Sequence, residues 1–338
     1  MGTKSQAEPR DRQVLFPVLQ NGMIGYINRS GKMTVQPQFA GLSQSFRVVG
    51  AIAVRGFREG LAPVEVGGKW GYIDREGKMT IDPQFDEAGP FQDKFAPVKI
   101  NDRWGFVDKS GKLAVNPQFD QVGQFSAGLA PVKKDGKWGF IDREGEYLVR
   151  PQFDDVAGAQ WTLMQQPGEG HGHFSEGLAG VNVGGSWGYI DKTGTLAITP
   201  KFEEAHSFYE GLAGVKIGQK FGFIDKNGDI VINPQFEDVG GFGNGLAPVK
   251  SNGKWGFIDK KGSYIANPQF EDAYSYFDKL AAVKFDGRWG YIDKEGKYVI
   301  NPQFDEAGNI EDGLASVRLS ESWGYIDPKG TYVWNPTN

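Results

Sequence analysis

Apolar residues along this chain fall in short runs broken by Gly, Pro, Asn and Asp, and no helix-length amphipathic stretch interrupts them. Runs of this kind predict strands. They recur in register. Aligned on the Trp of each Trp-Gly pair, the anchors are Ile24, Trp70, Trp104, Trp138, Trp187, Phe221, Trp255, Trp289 and Trp323. Their spacings are 46, 34, 34, 49, 34, 34, 34 and 34, so the unit is 34 residues with insertions of 12 and 15 in the first and fourth copies. Such a period signals a solenoid, propeller or array.

Three strands are predicted in each unit. The first carries a Leu-Ala-Pro-Val-Lys segment, as in Leu129 to Lys133, with a valine six positions before the anchor in all nine copies, from Val18 to Val317. A β-branched residue fixed at one position fits a pleated, packed surface. Next comes a two-residue turn, often Asn21-Gly22, Asp135-Gly136, Asn252-Gly253 or Asp286-Gly287, the composition of type I′ hairpins. The second strand is the anchor strand, with Trp70 and Tyr72 on one face and Gly71 and Ile73 on the other. Glycine weakens a strand interior, so its ninefold recurrence predicts close approach of a neighbouring strand or an aromatic ring over bare backbone. An Asp-x-x-Gly turn follows, in which Asp caps the turn and Gly takes a left-handed position.

The third strand is apolar nine and eleven positions after the anchor, and the residue between is mostly apolar or small, as at Ala114, Val231 and Val299. That pattern predicts burial on both faces. It ends at Pro-Gln-Phe, with proline thirteen after the anchor from Pro37 to Pro336. A connector of about ten residues then returns to the next unit. The Phe of Pro-Gln-Phe and a second aromatic (Phe91, Phe125, Phe174, Phe208, Phe242) are expected to pack between units.

Composition narrows the reading. The 49 glycines follow the period, which argues against low complexity. A net charge of −5 with scattered basic residues gives no footing for a nucleic-acid partner. The lack of cysteine excludes disulfides and thiolate metal sites. No apolar run is long enough for a membrane span, and the N-terminus lacks an apolar signal core. The chain is expected to be soluble, either cytoplasmic or exported after signal removal. Residues 1–12 read as a disordered tail and 13–338 as a single repeat domain.

Gly-Leu-Ala-Pro-Val, then Gly-Lys-Trp-Gly-Tyr-Ile-Asp-Lys-x-Gly, then Pro-Gln-Phe: this succession resembles the bacterial Trp-Gly (WG, or KWG) repeat family over about residues 15 to 336. Departures are Phe16, Ile24 and Asn28 in the first copy and Phe221 in the sixth. The resemblance implies an interaction role and names no reaction, cofactor or catalytic residue. The expected fold is all-β, nine antiparallel units of three to four strands closed into a β-propeller-like ring, with an open β-solenoid as the alternative. Neither end carries a separate cap, which favours closure; the degenerate first unit favours the open array.

Several constellations resemble sites. The Trp-Tyr pairs could stack sugars, but their uniform recurrence favours core. The acidic pairs (Asp86-Glu87, Asp154-Asp155, Glu203-Glu204, Glu237-Asp238, Glu271-Asp272, Asp305-Glu306) could serve glycoside cleavage. That chemistry needs one distinguished pair rather than many equivalent ones. His171-Gly172-His173 lacks a third metal ligand in sequence, so no metal and no cofactor is expected. The period breaks at 41–56, with Phe46, Arg47 and Arg55, and at 157–172, with Trp161 and His171; Arg150 stands just before the second break. A binding surface built from these residues is expected to take a protein or glycan. The leading function is a non-catalytic scaffold that presents connector loops. The alternatives are a glycan-processing enzyme using connector carboxylates and a purely structural spacer.

Overall fold

The computed structural model describes residues 14–40, 56–158 and 174–337. Its strands form nine separate antiparallel sheets, arranged as the blades of a nine-bladed β-propeller. Each blade is named below by its anchor residue. The Trp104 blade is typical: a two-residue strand Glu87–Ala88, then Phe95–Ile100, Arg103–Asp108 and Leu113–Phe119, hydrogen-bonded in chain order. The Ile24 and Trp70 blades show three strands, because the stretch equivalent to the short strand lies outside the described residues.

The hairpin between the first and second strands has the predicted left-handed pair, with Asn21 at φ 52° and Gly22 at φ 75°. The next turn also forms as predicted. Asp74 Oδ1 accepts the N–H groups of Glu76 (3.1 Å) and Lys78 (2.9 Å), and Gly77 takes a left-handed φ of 80°.

The glycine after each anchor answers to one cause. Between Trp70↔Phe85 and Tyr72↔Ile81 the third strand makes a bulge, four residues against two. That bulge lies against Gly71, where a Cβ would sit 2.5 Å from Ile81 O and 2.8 Å from Pro83 N. The same backbone groups crowd Gly25, Gly105, Gly139, Gly188, Gly222, Gly256, Gly290 and Gly324. Of the two expected explanations, close approach of a strand is the one found.

The core lies between blades. Trp70, Tyr72, Ile81, Phe85 and Phe91 pack on Ala96, Val98 and Val107 of the following blade, so the two recurrent phenylalanines fill the interface as expected. Buried tyrosine hydroxyls pin the backbone at these interfaces: Tyr72 donates to Gly89 O (2.8 Å) and Tyr291 to Gly308 O (2.7 Å). Burial pushes both hydroxyls' pKa values up.

The third strand departs from expectation. On its first half only the third residue is buried, and Ile230, Val231, Tyr264, Ile265, Tyr298 and Val299 are exposed. It is the outer edge of its blade, where neighbouring wedges diverge, so apolar residues on both faces did not signal burial on both.

Closure is direct. Phe16, Val18 and Ile27 of the first blade form one cluster with Leu314 and Tyr325 of the last. The turn glycine of each blade rests on the third strand of the blade before it, Gly77 on Val35 and Gly111 on Ile81, and Gly31 rests on Val333. The first and last blades therefore pack as neighbours, with Gly31 meeting the third strand one position earlier than the other turn glycines do. The open solenoid is therefore not the fold.

Candidate functional site

A second tight turn, unread in the sequence, precedes the first strand of every blade but that of Ile24, where the stretch lies outside the described residues. Glu59-Gly60, Ala127-Gly128, Glu176-Gly177 and Glu210-Gly211 all have positive φ at both positions, closed by bridges such as Arg58↔Leu61. These turns touch around the ring. The acid at the first turn position accepts the N–H at the second position of the next turn: Glu59 from Lys94 (3.2 Å), Asp93 from Gly128 (2.7 Å), Glu176 from Gly211 (3.1 Å) and Glu210 from Gly245 (2.9 Å). The same carboxylate pairs with a basic residue on the next blade's Asp-x-x-Gly turn. These pairs are Glu59–Lys109 (3.0 Å), Asp93–Arg143, Glu176–Lys226 (2.9 Å) and Glu210–Lys260 (3.1 Å). Each carboxylate thus staples two blades on one face of the ring.

The staple does not form at every blade: among the described residues only Glu59, Asp93, Glu176 and Glu210 make it. At the closing seam, Arg58 reaches Glu311 (3.5 Å) across the first blade, from the second blade to the last. Beneath them a cleft of about 70 Å³ is lined by Leu15, Phe16, Phe57, Asn309, Leu314 and Tyr325, among others. Burial raises the Glu311 pKa and Arg58 opposes that shift. Tyr325 donates its hydroxyl to Pro17 O (2.8 Å), whose counterpart Pro97 O instead accepts the Gly89 N–H in the Trp104 blade. Two of these turns carry no carboxylate at the first position, Ala127 and Asn244.

The acidic pairs of the connectors have structural partners. Asp86 accepts the N–H of Asn101 (2.8 Å) and pairs with Lys69 (2.5 Å), while Glu87 pairs with Lys99 (2.9 Å). The Lys69 hydrogen bond, helped by the Asn101 N–H, holds the Asp86 pKa below the usual carboxylate range. Glu237 is lowered likewise, first by Gly253 N–H. Asp272 runs the other way, raised by burial. His206 is half-buried against Phe221, ring centroids 5.2 Å apart, and desolvation lowers its pKa. In the Trp104 and Trp138 blades its position holds glycine, Gly89 and Gly123. In the Trp289 blade the same position holds Tyr274, whose ring lies 4.8 Å from that of Trp289.

Of the predicted binding residues, Phe46, Arg47, Arg55, Trp161 and His171 lie outside the described residues, as do His173 and the tail 1–12. Arg150 is described, while most of the second insertion lies outside the described residues. Arg150 sits on the outer strand Tyr147–Phe153 with its guanidinium 6.0 Å from the Tyr147 ring, whereas the insertion leaves after the short strand Asp155–Val156 at the opposite edge of the next blade. Both insertions rejoin at the same position of the unit, Phe57 and Phe174, just before the tight turn. Glu311, Arg58 and the Ala127 gap were missed. The only signal for the gap was an alanine where the other described copies of the turn carry Glu, Asp or Asn. Among the described residues, no cluster of His, Asp and Glu is arranged to hold a metal ion.

The WG-containing repeat family matches residues 24–43, 53–70, 70–104, 104–138, 138–158, 187–221, 221–255, 255–289 and 289–321. The chain belongs to the WG repeat family. Comparison of this WG-repeat chain with curated proteins finds no match. Among solved structures it is similar to a eukaryotic initiation factor, at 12% identity and a TM-score of 0.63, covering 97% of each chain. It is also similar to the dihydro-heme d1 dehydrogenase NirN in complex with DHE, at 13% identity and a TM-score of 0.50, covering all of this chain and 76% of that one. At such identities the likeness is one of fold alone. No helix among the described residues of this WG-repeat ring is long and apolar enough to cross a membrane.

Proposed function

We propose that this WG-repeat ring is a non-catalytic scaffold that presents its tight-turn face, with the two insertions rising from it, to a protein or glycan partner. The observation carrying this reading is that the repeated polar groups are committed to holding blades together. The connector carboxylates cap turns and pair with lysines, and the tyrosine hydroxyls donate to backbone carbonyls. The two breaks in the period rejoin the repeat at equivalent positions, Phe57 and Phe174, three blades apart. A glycan-processing enzyme would need one carboxylate pair with split pKa values facing a cleft. Glu311 does line the seam cleft, but its partner there is Arg58 rather than a second, ionised acid at catalytic distance.

The test is capture from a bacterial lysate with a glycan array in parallel, using the parent chain and a variant carrying Trp161→Ala and Arg47→Ala. The reading expects a specific partner that the variant loses. Equal capture by both would remove the insertions from the binding surface. Polysaccharide cleavage that disappears on Glu311→Gln would replace the scaffold reading with the enzymatic one.

A further inference from the structure

We infer that the gap at Ala127 is a carboxylate-binding site, completed by an acid that this turn does not supply. The ring itself contains the template. In four places a turn carboxylate accepts a backbone N–H of the next turn and pairs with a basic side chain of the next blade. By the same offsets, the residue that should staple the Trp138 blade to the Trp187 blade is Ala127, and its donors are Gly177 N–H and Lys192 Nζ.

The donors are in place although the acid is not. Ser126 Oγ donates to Phe174 O (3.3 Å), as Ser175 Oγ does to Phe208 O one blade on, so the two turns meet in the ordinary way despite the insertion between them. Glu176 and Gly177 keep the left-handed pair, φ 51° and 94°. Ala127 and Lys192 are exposed, and among the described residues neither Lys192 nor Gly177 N–H has a partner. An ammonium and an N–H that lack the carboxylate their counterparts bind select one through two charge-assisted hydrogen bonds. The position takes one carboxylate group, from a small carboxylate or from an Asp or Glu side chain of a protein. It stands at the root of the second insertion, where residue 174 resumes the unit.

This deepens the scaffold reading by naming the chemistry of one contact, and its test needs no partner. The 15N-labelled protein is titrated at constant ionic strength with acetate, with a short Glu-rich peptide and with the Gln version of that peptide, reading the Gly177 amide resonance. We expect a saturable shift with acetate and with the Glu peptide and none with the Gln peptide. The Gly211 amide, already capped by Glu176, should not move. Lys192→Gln should weaken binding roughly tenfold or more. Ala127→Asp should abolish it by filling the site from within, since Asp tolerates left-handed backbone. Both positions are exposed, so both variants should fold.

Tighter binding of the Glu peptide than of acetate assigns the site to a protein's acidic side chain; equal binding per carboxylate assigns it to a small carboxylate. A silent Gly177 amide with both ligands, or a shift that survives both substitutions, overturns the inference. Either result leaves the lysate capture of the scaffold untouched.

Discussion

Replacing Gly290 by alanine tests why the glycine recurs after every anchor. Gly290 lies between Trp289 and Tyr291, which bridge to Phe304 and Ile300 on the third strand. Its φ is not positive, so alanine fits the backbone and the cost is steric alone. The new methyl carbon would sit 2.5 Å from Ile300 O, 2.7 Å from Pro302 N and 2.9 Å from Asn301 C, against the 3.4 Å at which ordinary contact begins. All three are backbone atoms, and the bridges on either side hold them. Overpacking typically costs about 1–3 kcal/mol, and this immobile neighbour places the cost at the top of that range or above, about 3 kcal/mol.

The control is Gly287→Ala. That residue has φ +73° with nothing within 4 Å, so only the left-handed penalty of about 1–2 kcal/mol applies. Urea unfolding followed by tryptophan fluorescence measures both, and hydrogen exchange at the Tyr291 amide reports whether the Trp289 blade opens locally. A Gly290→Ala variant no less stable than Gly287→Ala would refute the bulge as the reason for the glycine. Gly139→Ala should cost as much as Gly290→Ala, because Val149 O and Pro151 N crowd it in the same way.

Other outcomes follow from the same contacts. Gly194→Ala should cost about 1–2 kcal/mol more than Gly296→Ala, since the first meets a methyl of Val149 and the second only Ala266 at 3.4 Å; paired urea melts compare them. Tyr325→Phe should lower stability by about 1–3 kcal/mol by leaving the closing seam without the hydroxyl bond to Pro17, read as a drop in Tm. His206 is held neutral by desolvation, so the unfolded chain binds more protons below its pKa of about 6.5. Stability should therefore fall with falling pH from that value down to the folded pKa, by up to about 1.4 kcal/mol per pH unit, and His206→Gln should remove that slope. Asp86 and Asp154 have lowered folded pKa values, from the lysine hydrogen bonds first, so their contribution is present above the unfolded carboxylate pKa. It should be lost as pH falls through the folded values, and Asp154→Asn should flatten the acid limb of an unfolding titration.

Much of the fold was legible because each repeated residue has one local cause. The fixed valine, the Asn-Gly and Asp-Gly hairpins, the Asp-x-x-Gly caps and the interface phenylalanines follow from period and turn chemistry, and all are found. Two readings depended on where a strand sits in the ring, which a periodicity cannot encode. Ile230-Val231 and Tyr298-Val299 read as buried on both faces, yet they lie on an outer edge where blades diverge. Arg150 is close to the second insertion in sequence, but the chain crosses to the next blade between them. The staples were illegible for a different reason. Their partners lie about one period apart or more, as Glu176 does from Gly211 and Lys226, so neither looks unusual until the turns are seen touching. The missing acid at Ala127 acquires meaning only against that ring.

Ring closure can be measured without reference to any ligand. The chain has no cysteine, so paired substitutions take spin labels only where they are placed. Ser30, Glu76, Ser110 and Lys329 occupy equivalent exposed positions, six after the anchor, in the first, second, third and last blades. The distance between labels at Ser30→Cys and Lys329→Cys, read by double electron–electron resonance, should match that between Glu76→Cys and Ser110→Cys, since both pairs would span neighbouring blades. A Ser30–Lys329 distance several times longer than the Glu76–Ser110 distance would mean an open array, and would contradict the ring on which the seam and the staple pattern depend.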